Sequence, residues 1–338
     1  MKAKTSFFFI LLTAVILPAA MLVTTSCRPG SSKTIIVVAD NGWDSQRFHN
    51  ALARLIVENA FYGYELRIST ASTIMNWESM RNGDVDLDIE AWTENVATFE
   101  EDVRSGDFIP LGVLFPDGRQ GFYVPRFVIY GDPARGIAPM APTLRRVEDL
   151  LRYSHVFPDE ENPARGRIFG AIPGWNADAI MYRRFRHHGL DASFNYVRLG
   201  SEATLFASLM AAYTLGQPWV GYCYEPTWIA GRLDLVMLED EPFEPEAFLQ
   251  GRTSFPESEI MVVSNRFFPQ RAPELVDFFS RFHTGSELVS KVLSFLDETR
   301  ASHDEAAVWF LRNNDALIDE WLSAENAAKL RNHLLQRR

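Results

Sequence analysis

The sequence predicts an α/β protein with two similar lobes, each formed by a mostly parallel sheet flanked by helices. Two observations support this prediction. Short runs rich in β-branched residues alternate with segments whose apolar residues recur at helical spacing. The alternation occurs twice, and a stretch with three prolines and two glycines, 131–143, separates the two units. The length of 338 residues allows each unit to bury a core of its own.

The first element is a predicted export signal over residues 1–26. Two lysines precede an apolar stretch that ends shortly before Cys27, as in secretory signal peptides. A small residue directly before this cysteine resembles a bacterial lipobox, in which the cysteine is lipidated and becomes the mature amino terminus. Residues 27–33 are then a lipidated linker, and the protein is expected to be exported and membrane-anchored, facing the periplasm or the cell exterior. An uncleaved anchor is the alternative, but the apolar stretch is short and interrupted by Pro18.

The charge of the mature chain limits the partners that it can bind. The full sequence has a formal net charge of −11, and removal of residues 1–26 takes away two lysines, which gives −13. An acidic protein lacks the basic surface that neutralises phosphates, so no nucleic acid partner is expected. With Cys27 lipidated, Cys223 is the only remaining thiol in the sequence, and no intramolecular disulfide is expected.

The first unit is predicted to have the order βαβαβ. A continuous apolar run opens it, and its last run alternates, with Leu87, Ile89 and Ala91 on one face. Two helical segments separate the runs, and the second of them contains Trp77. The three strands are expected at 34–39, 64–70 and 86–92.

The middle unit repeats this pattern. Its residues again alternate between short β-branched runs and longer helical segments. The strands are expected at 167–172, 196–199 and 219–224, with helices over about 177–188 and 204–215.

Two extended segments are expected to carry the chain between the lobes, because both lie beside Pro-rich connections. These segments are 123–130 and 259–265. Lobe I then comprises residues 34–125 and 260–338, and lobe II comprises residues 126–259.

The chain after residue 265 is predicted to be helical, since apolar residues recur at helical spacing throughout. Ser302 and Glu305 have the spacing of a capping box that opens one of these helices. Trp309 and Trp321 continue the apolar stripes and are interpreted as packing residues. The tail is expected to return and cover the first lobe.

Five short segments that carry aromatic residues are the main functional signal. Four of them lie at the ends of predicted strands, at 42–45, 90–92, 173–176 and 222–228, and the fifth is 121–125. The carboxyl ends of the strands in an open parallel sheet border the ligand crevice, so these rings are expected to face one cleft. Each ring taken alone is more typical of a core, but their joint placement favours a binding site.

A set of rings around a cleft is suited to a methylated ammonium group. Such a cation has no hydrogen to donate, so the negative faces of aromatic rings are the groups that recognise it. A desolvated contact of this kind contributes about 2 kcal/mol or more, and three or four contacts supply most of a micromolar affinity of roughly −8 kcal/mol. The sequence therefore favours a cage for quaternary amines.

The motifs follow one another in a specific order after Cys27. They are Gly42-Trp43-Asp44-Ser45, Gly83-Asp84-Val85-Asp86, Glu90-Ala91-Trp92, Gly121-Phe122-Tyr123-Val124-Pro125, Gly174-Trp175-Asn176 and Tyr224-Glu225-Pro226. In this order they resemble the glycine betaine, proline betaine and choline-type substrate-binding lipoproteins of ABC importers, over residues 34 to about 322. The resemblance implies a two-lobed periplasmic-binding-protein fold that closes on its ligand. It also implies delivery of the ligand to a membrane permease that is powered by a cytosolic ATPase.

The resemblance also suggests which residues bind the ligand, expected to be glycine betaine, proline betaine, choline or carnitine. The positions that match the cage best are Trp43, Trp92, Tyr123 and Tyr224. Trp175 and Trp228 are further candidates, although Trp175 can instead pack beneath Asn176 and Trp228 can lie on the following helix. Trp77 and Trp219 match no cage position.

Three polar residues are candidates for the rest of the ligand, which is a carboxylate in betaines and a hydroxyl in choline. Asn176 begins a helix whose N–H groups suit a carboxylate. Asp44 would accept a hydrogen bond from a choline hydroxyl if its side chain enters the site. The alternative, which the residue preferences of helix N-caps favour, is that Asp44 is the N-cap of the following helix. Glu90 either faces the cation or bonds to neighbouring backbone at the strand end.

Enzymatic readings have less support. The sequence contains no Gly-x-Ser-x-Gly elbow, no His-Glu-x-x-His pair and no P-loop, so no catalytic residue, metal site or cofactor is expected. Glu90 and Glu225 could serve a glycosidase, but nothing around them indicates such a site. The alternatives that remain are a binding component for an amino acid or a sugar and, more remotely, a secreted hydrolase. The protein is expected to be a monomer.

Overall fold

A computed structural model describes residues 33–336. The predicted signal peptide and Cys27 lie outside the described residues. The fold class is the expected α/β class: sheets flanked by helices, with parallel pairing inside each of the two units.

The first unit has the predicted order. Its strands β1 (Thr34–Asp40), β2 (Tyr64–Thr70) and β3 (Leu87–Ala91) run parallel, with β1 in the middle. The helices between them are α1 (Asp44–Ala60) and α2 (Thr73–Asn82). Every residue of β3 is buried, which agrees with its position inside the sheet.

One long strand connects the two parts of the sheet. The short helix α3 (Phe99–Ser105) leads into β4 (Phe108–Pro125). From Phe108 to Gly118, β4 pairs with β9 (Ser258–Asn265), which in turn pairs with β3. From residue 119 onward β4 pairs with strands of the second unit. We call the sheet on the two sides of this point the first and second half-sheets.

The extended segment expected over 123–130 is wrong from residue 126 onward. Pro125 ends β4, and α4 (Arg126–Tyr130) begins directly after it. The helix is favoured because a turn at this point buries three consecutive apolar residues, Phe127, Val128 and Ile129.

The second half-sheet contains the strands of the middle unit. They are β5 (Gly166–Phe169), β6 (Phe194–Val197), β7 (Gly221–Glu225) and β8 (Leu235–Met237). The first three run parallel, while β7 and β8 pair antiparallel with β4. The helices are α5 (Asn176–His187), α6 (Glu202–Leu215), α7 (Trp228–Arg232) and α8 (Pro245–Phe248). The full strand order is β2-β1-β3-β9-β4-β7-β5-β6, with β8 beside β4.

The rest of the chain is helical, as predicted. The helices are α9 (Phe268–Arg271), α10 (Pro273–Arg281), α11 (Ser286–Thr299), α12 (His303–Asn313), α13 (Ala316–Trp321) and α14 (Ala324–Gln336). Short 3₁₀ turns lie at Thr93–Asn95, Pro133–Arg135, Val147–Arg152, Ser154–Val156 and Leu190–Ala192.

The carboxyl-terminal helices cover the first unit, because α12 and α14 both pack against α1. The capping box predicted at Ser302 and Glu305 is confirmed, with both reciprocal hydrogen bonds present. Trp321 is completely buried against Phe282 and the half-buried Trp309 stacks on Phe295, so both tryptophans are packing residues as predicted.

Candidate ligand-binding site

An aromatic cavity lies where the ends of β1 and β3 meet β7 and the beginning of α5. Its free interior is small, about 30 Å³, and the space between its atoms is about 440 Å³ when the open mouth is included. The residues that line it are Trp43, Thr73, Trp77, Asp88, Trp92, Asn95, Val96, Trp175, Asn176, Ala177, Tyr222 and Tyr224.

The rings meet edge to face around this cavity. Trp43 and Trp175 have centroids 5.3 Å apart at an interplanar angle of 86°. Tyr224 lies 5.7 Å from Trp92 and 6.0 Å from Trp175, at 88° and 83°. Tyr222 is 6.3 Å from Trp175 and completes the set. In each of these pairs the edge of one ring meets the face of the other.

Local sequence rules explain where the tryptophans lie. Trp43 and Trp175 are the N-cap residues of α1 and α5, each at a point where a strand has ended and a helix begins. Trp92 directly follows β3. Four of the predicted ring positions, these three and Tyr224, therefore line one cavity, together with the predicted Asn176.

Tyr123 lies outside the lining, and the pairing of β4 with β7 explains why. Tyr123 is opposite Gly221 in this antiparallel ladder, and opposite residues share a face of the sheet. Its face therefore differs from that of Tyr222 and Tyr224, and its hydroxyl donates to Glu225 at 2.9 Å. Tyr222, which the sequence analysis did not select, lines the cavity instead. Period-two alternation back from Tyr224 is the signal that could have identified it.

Trp228 is also outside the cavity. It begins α7 and packs edge to face on Phe206 at 6.1 Å. Trp228 also lines a separate groove, together with Asp44 and His303.

Asp44 has neither of the two roles weighed for it. The N-cap of α1 is Trp43, so the expected cap is wrong by one residue, and Asp44 is the first residue of the helix. A carboxylate in this first turn still interacts favourably with the helix dipole. Its Oδ1 lies 3.6 Å from Nε2 of His303, on the side of the groove rather than the cavity.

Glu90 lies behind Trp43 and does not line the cavity. Its Oε1 accepts hydrogen bonds from the Trp43 indole N–H at 2.8 Å and from the Ser45 hydroxyl at 2.7 Å. Its Oε2 is 2.6 Å from Nδ1 of His49. The residue is completely buried. The carboxyl group of Glu90 therefore bonds to three side chains, and the predicted bond to neighbouring backbone is wrong.

Asp88 places a carboxyl group in the wall of the cavity. Asn41 and Gln46 donate to it from side-chain amides at 2.9 and 2.8 Å. Burial raises the pKa of the Asp88 carboxyl to about 6, so the group is ionised at neutral pH and favours a cation beside it. The signal in the sequence was weak, because Asp88 alternates with residues that look like a buried strand face.

Glu202 connects elements of the two half-sheets. The Tyr224 hydroxyl donates to Oε1 of Glu202, and the backbone N–H of Asp44 donates to Oε2 at 3.0 Å. Burial raises the pKa of the Glu202 carboxyl to about 8, and the Asp44 carboxylate adds to the effect. A second connection runs from the Trp175 indole N–H to the carbonyl of Asn41 at 3.0 Å.

Thr73 and Trp77 complete one side of the cavity. Trp77, for which no cage position was predicted, lines the cavity and packs on Phe108 at 4.7 Å. The hydroxyl oxygen of Thr73 is buried and has no hydrogen-bond partner among residues 33–336.

Metal-binding clusters and membrane-spanning helices are both absent from the described part of the chain. Between residues 33 and 336, no three His, Cys, Asp or Glu side chains are grouped in a way that could hold a metal ion. Over the same residues, no helix combines the length and the apolar character needed to cross a membrane.

The two half-sheets and the aromatic cavity between them define a small-ligand binding protein of the two-lobed periplasmic type. Residues 34–313 match the family described as the substrate-binding domain of the ABC-type glycine betaine transport system. The chain belongs to this family. Its members are extracytoplasmic substrate-binding proteins of transport systems, and the family is not a catalytic one.

Individual relatives are distant in sequence. The glycine betaine-binding periplasmic protein OusX of Dickeya dadantii is 22% identical over 187 residues, which are 50% of this chain and 56% of that protein. The match thus spans little more than half of the relative's length.

Solved structures match over nearly their whole length. The glycine betaine/L-proline-binding protein ProX of Borrelia burgdorferi superposes with a TM-score of 0.69 at 17% identity, covering 88% of this chain and 99% of that one. A choline-binding protein of an ABC transporter, in complex with choline, gives 0.71 at 16% identity, with 89% and 98% covered. At this identity the likeness establishes the fold.

Proposed function

We propose that the protein captures a quaternary ammonium compound in a cage of five rings and delivers it to the membrane permease of an ABC importer, which a cytosolic ATPase powers. Glycine betaine, proline betaine, choline and carnitine are the candidate ligands. The observation that carries this proposal is the convergence of rings from both half-sheets on one cavity. The rings are Trp43, Trp92, Trp175, Tyr222 and Tyr224. No catalytic role is proposed.

The chemistry of the cavity supports a methylated cation as the ligand. The trimethylammonium head offers no N–H donor, so it gains little from hydrogen-bonding walls and much from ring faces. Each desolvated ring contact is worth about 2 kcal/mol, and four of them would account for roughly −8 kcal/mol, a micromolar affinity. The carboxyl of Asp88 in the wall adds attraction for a positive charge.

The polar end of the ligand is proposed to lie between Thr73 and the start of α5. Thr73 has a buried hydroxyl oxygen with no hydrogen-bond partner in the described part of the chain, and Asn176 and Ala177 begin a 12-residue helix at the cavity wall. First-turn N–H groups of a helix are unpaired within the helix and favour an anion. A carboxylate can use both groups, and a choline hydroxyl can use Thr73 or the Asn176 side chain.

We also propose that the protein has two lobes, which separate to admit the ligand, with the first boundary near Gly118 rather than at the expected residue 125 and the second near the expected 259–260. The contacts that would break on opening include the Trp43–Trp175 and Trp92–Tyr224 pairs and the Asp44–Glu202 hydrogen bond. The change of partner of β4 after Gly118 favours a first crossing at that point in the strand.

Anchoring by a lipid on Cys27, after removal of residues 1–26, is part of the proposal. It would hold a monomeric binding protein close to its permease. Mass spectrometry of the membrane fraction tests it, because a diacylated cysteine at the mature amino terminus is expected and an unmodified Cys27 would contradict it.

Calorimetric titration of the protein beginning after Cys27 tests the ligand class. Glycine betaine, choline, carnitine and proline are compared under one set of conditions, with micromolar binding of at least one methylated ammonium compound expected and proline much weaker. Trp228→Ala is the matched tryptophan control, because Trp228 packs outside the cavity and its loss should leave binding unchanged. Preferred binding of an amino acid or a sugar, silence across the panel, or turnover of a ligand would contradict the proposal.

A further inference from the structure

Glu90 is a buried carboxyl group that the ligand does not need to touch. It is completely buried, and three side chains of the first half-sheet converge on it: Trp43, Ser45 and His49. A carboxylate can only accept hydrogen bonds, and two donors, the Trp43 indole N–H and the Ser45 hydroxyl, converge on it beside Nδ1 of His49. Burial of a carboxylate without such partners would be costly, and one of these partners, Trp43, is a ring of the cage.

The bond to Trp43 fixes the orientation of a cage ring. An indole has one N–H, and here it donates to Oε1 of Glu90 at 2.8 Å. The Trp43 ring also contacts Trp175 edge to face, with ring centroids 5.3 Å apart. A ring held by a hydrogen bond on one edge and by packing on the other has little freedom to turn away from the cavity.

Glu90 is itself held in place. His49 is 2.6 Å away through Nδ1, and its Nε2 lies 3.0 Å from the hydroxyl of Thr284, in the turn before α11. The Thr284 backbone N–H donates to the carbonyl of Leu114 in β4. The chain of contacts from the cage ring thus ends on β4, the strand that pairs with both half-sheets.

A negative charge behind the ring also changes how the ring binds a cation. Donation of the indole N–H to a carboxylate shifts electron density toward the ring and strengthens the negative potential of its face, on which cation–π attraction depends. With His49 neutral beside it, the same charge also attracts a positive ligand directly, because the site is screened from water. A ligand with a net positive charge gains from both effects, whereas a zwitterion loses part of the gain through its own carboxylate.

We infer that Glu90 is a positioning residue that acts through Trp43 and shifts the selectivity of the cage toward a cationic ligand over a zwitterionic one. This inference rests on the proposed quaternary amine cage. Choline and glycine betaine share the trimethylammonium head and differ in net charge, so the ratio of their dissociation constants measures the effect.

Glu90→Gln tests the inference, since glutamine keeps the length and an acceptor oxygen but removes the charge. The protein beginning after Cys27 is titrated with both ligands by calorimetry. Choline binding is expected to weaken about tenfold and glycine betaine binding about threefold, which corresponds to about 1.4 and 0.7 kcal/mol. Glu287→Gln makes the same change on an exposed side chain of α11, 84% accessible, and should alter neither constant.

The outcomes separate this inference from the proposed function. Equal losses for both ligands, or no loss for either, would overturn the inference and leave Glu90 a structural residue. If the wild type binds neither ligand, the cage itself is refuted. If Glu90→Gln does not fold, Trp43→Phe provides the second test, because phenylalanine keeps a ring but cannot donate to Glu90. That variant must also lose more affinity for choline than for glycine betaine, and an unchanged ratio would contradict the inference.

Discussion

Replacement of Glu202 by glutamine is expected to remove a pH dependence that this carboxyl group imposes on ligand binding. Glu202 lies at the start of α6 and accepts hydrogen bonds from the Tyr224 hydroxyl and from the backbone N–H of Asp44 on α1. It is 6% exposed, so an ionised carboxylate there lacks most of its hydration. Because α1 and α6 flank different half-sheets, the proposed opening of the lobes would expose this carboxyl group.

The charges around Glu202 fix the direction of the effect. Burial is the main cause that raises the pKa of its carboxyl to about 8, and the Asp44 carboxylate raises it further. Arg47, also on α1, opposes both. His303 on α12 lies beside Asp44 at 3.6 Å, and the Tyr224 hydroxyl stabilises the ionised form as a donor. The raised pKa means that burial and like charge outweigh the favourable partners.

The magnitude follows from the difference between the closed and open states. In an open state the Glu202 carboxyl is hydrated and returns to its ordinary pKa of about 4.3. The closed state, with a pKa of about 8 for this group, therefore takes up a proton when it forms between these values. The stabilisation that this proton gives to the closed state is complete below about pH 4.3 and is lost as pH rises through about 8. Affinity should fall by up to about tenfold per pH unit well below pH 8 and more slowly near it, hence by about 15-fold between pH 6.5 and 8 and about 30-fold by pH 9.

Calorimetry over pH 6.5 to 9 measures this effect, with the range chosen above the pKa of about 6 for the Asp88 carboxyl. Wild type should lose affinity up to about pH 8 and then level off. Glu202→Gln, which resembles the protonated acid, should keep the high affinity throughout. Titrations near pH 6.5 in buffers of different ionisation enthalpy should report uptake of close to one proton per ligand in the wild type only. Parallel pH profiles for the two proteins, or no proton uptake, would refute the reasoning.

Three further substitutions separate binding from stability. Trp92→Ala removes a ring from the cage and should weaken ligand binding by about 30-fold, or about 2 kcal/mol, in a calorimetric titration. A folded variant with unchanged affinity would exclude Trp92 from the site. Trp321→Ala leaves a cavity in the core and should lower the free energy of unfolding by about 3 to 5 kcal/mol in urea denaturation, with little effect on affinity in the folded protein. Ser302→Ala removes the side-chain cap of α12, and the same assay should register a loss of about 1 kcal/mol, whereas no loss would mean that the bond to Glu305 is replaced by water.

The positions of the tryptophans could be predicted because local rules govern them. Trp43 and Trp175 lie where a helix begins after a strand, and Trp92 lies where β3 ends. Hydrophobic periodicity identifies these boundaries within a short window of the chain. The carboxyl ends of parallel strands then meet at one edge of a sheet, so a prediction of the strands is also a prediction that these rings converge.

The choice between Tyr123 and Tyr222 could not be made in this way, because it depends on how β4 pairs with β7. The two strands are about a hundred residues apart, and a shift of register by one residue would exchange the faces of both. Glu202 and Asp88 were missed for a related reason. Their importance comes from burial and from partners distant in the chain, such as Asp44 and Asn41, and no local pattern marks them.

The polar atoms of the cage rings suggest why affinity and closure would be one event in this protein. Four rings are each hydrogen-bonded through their own N–H or hydroxyl: Trp43 to Glu90, Trp175 to Asn41, Tyr222 to Gln120 and Tyr224 to Glu202. The bond from Trp175 crosses from one half-sheet to the other, and Glu202 holds Tyr224 while it bonds to Asp44 across the same junction. Separation of the halves would therefore break the hydrogen bond that orients Trp175 and one of the two bonds that hold Glu202, as well as open the cavity. A ligand that needs all the ring faces must pull the halves together to obtain them.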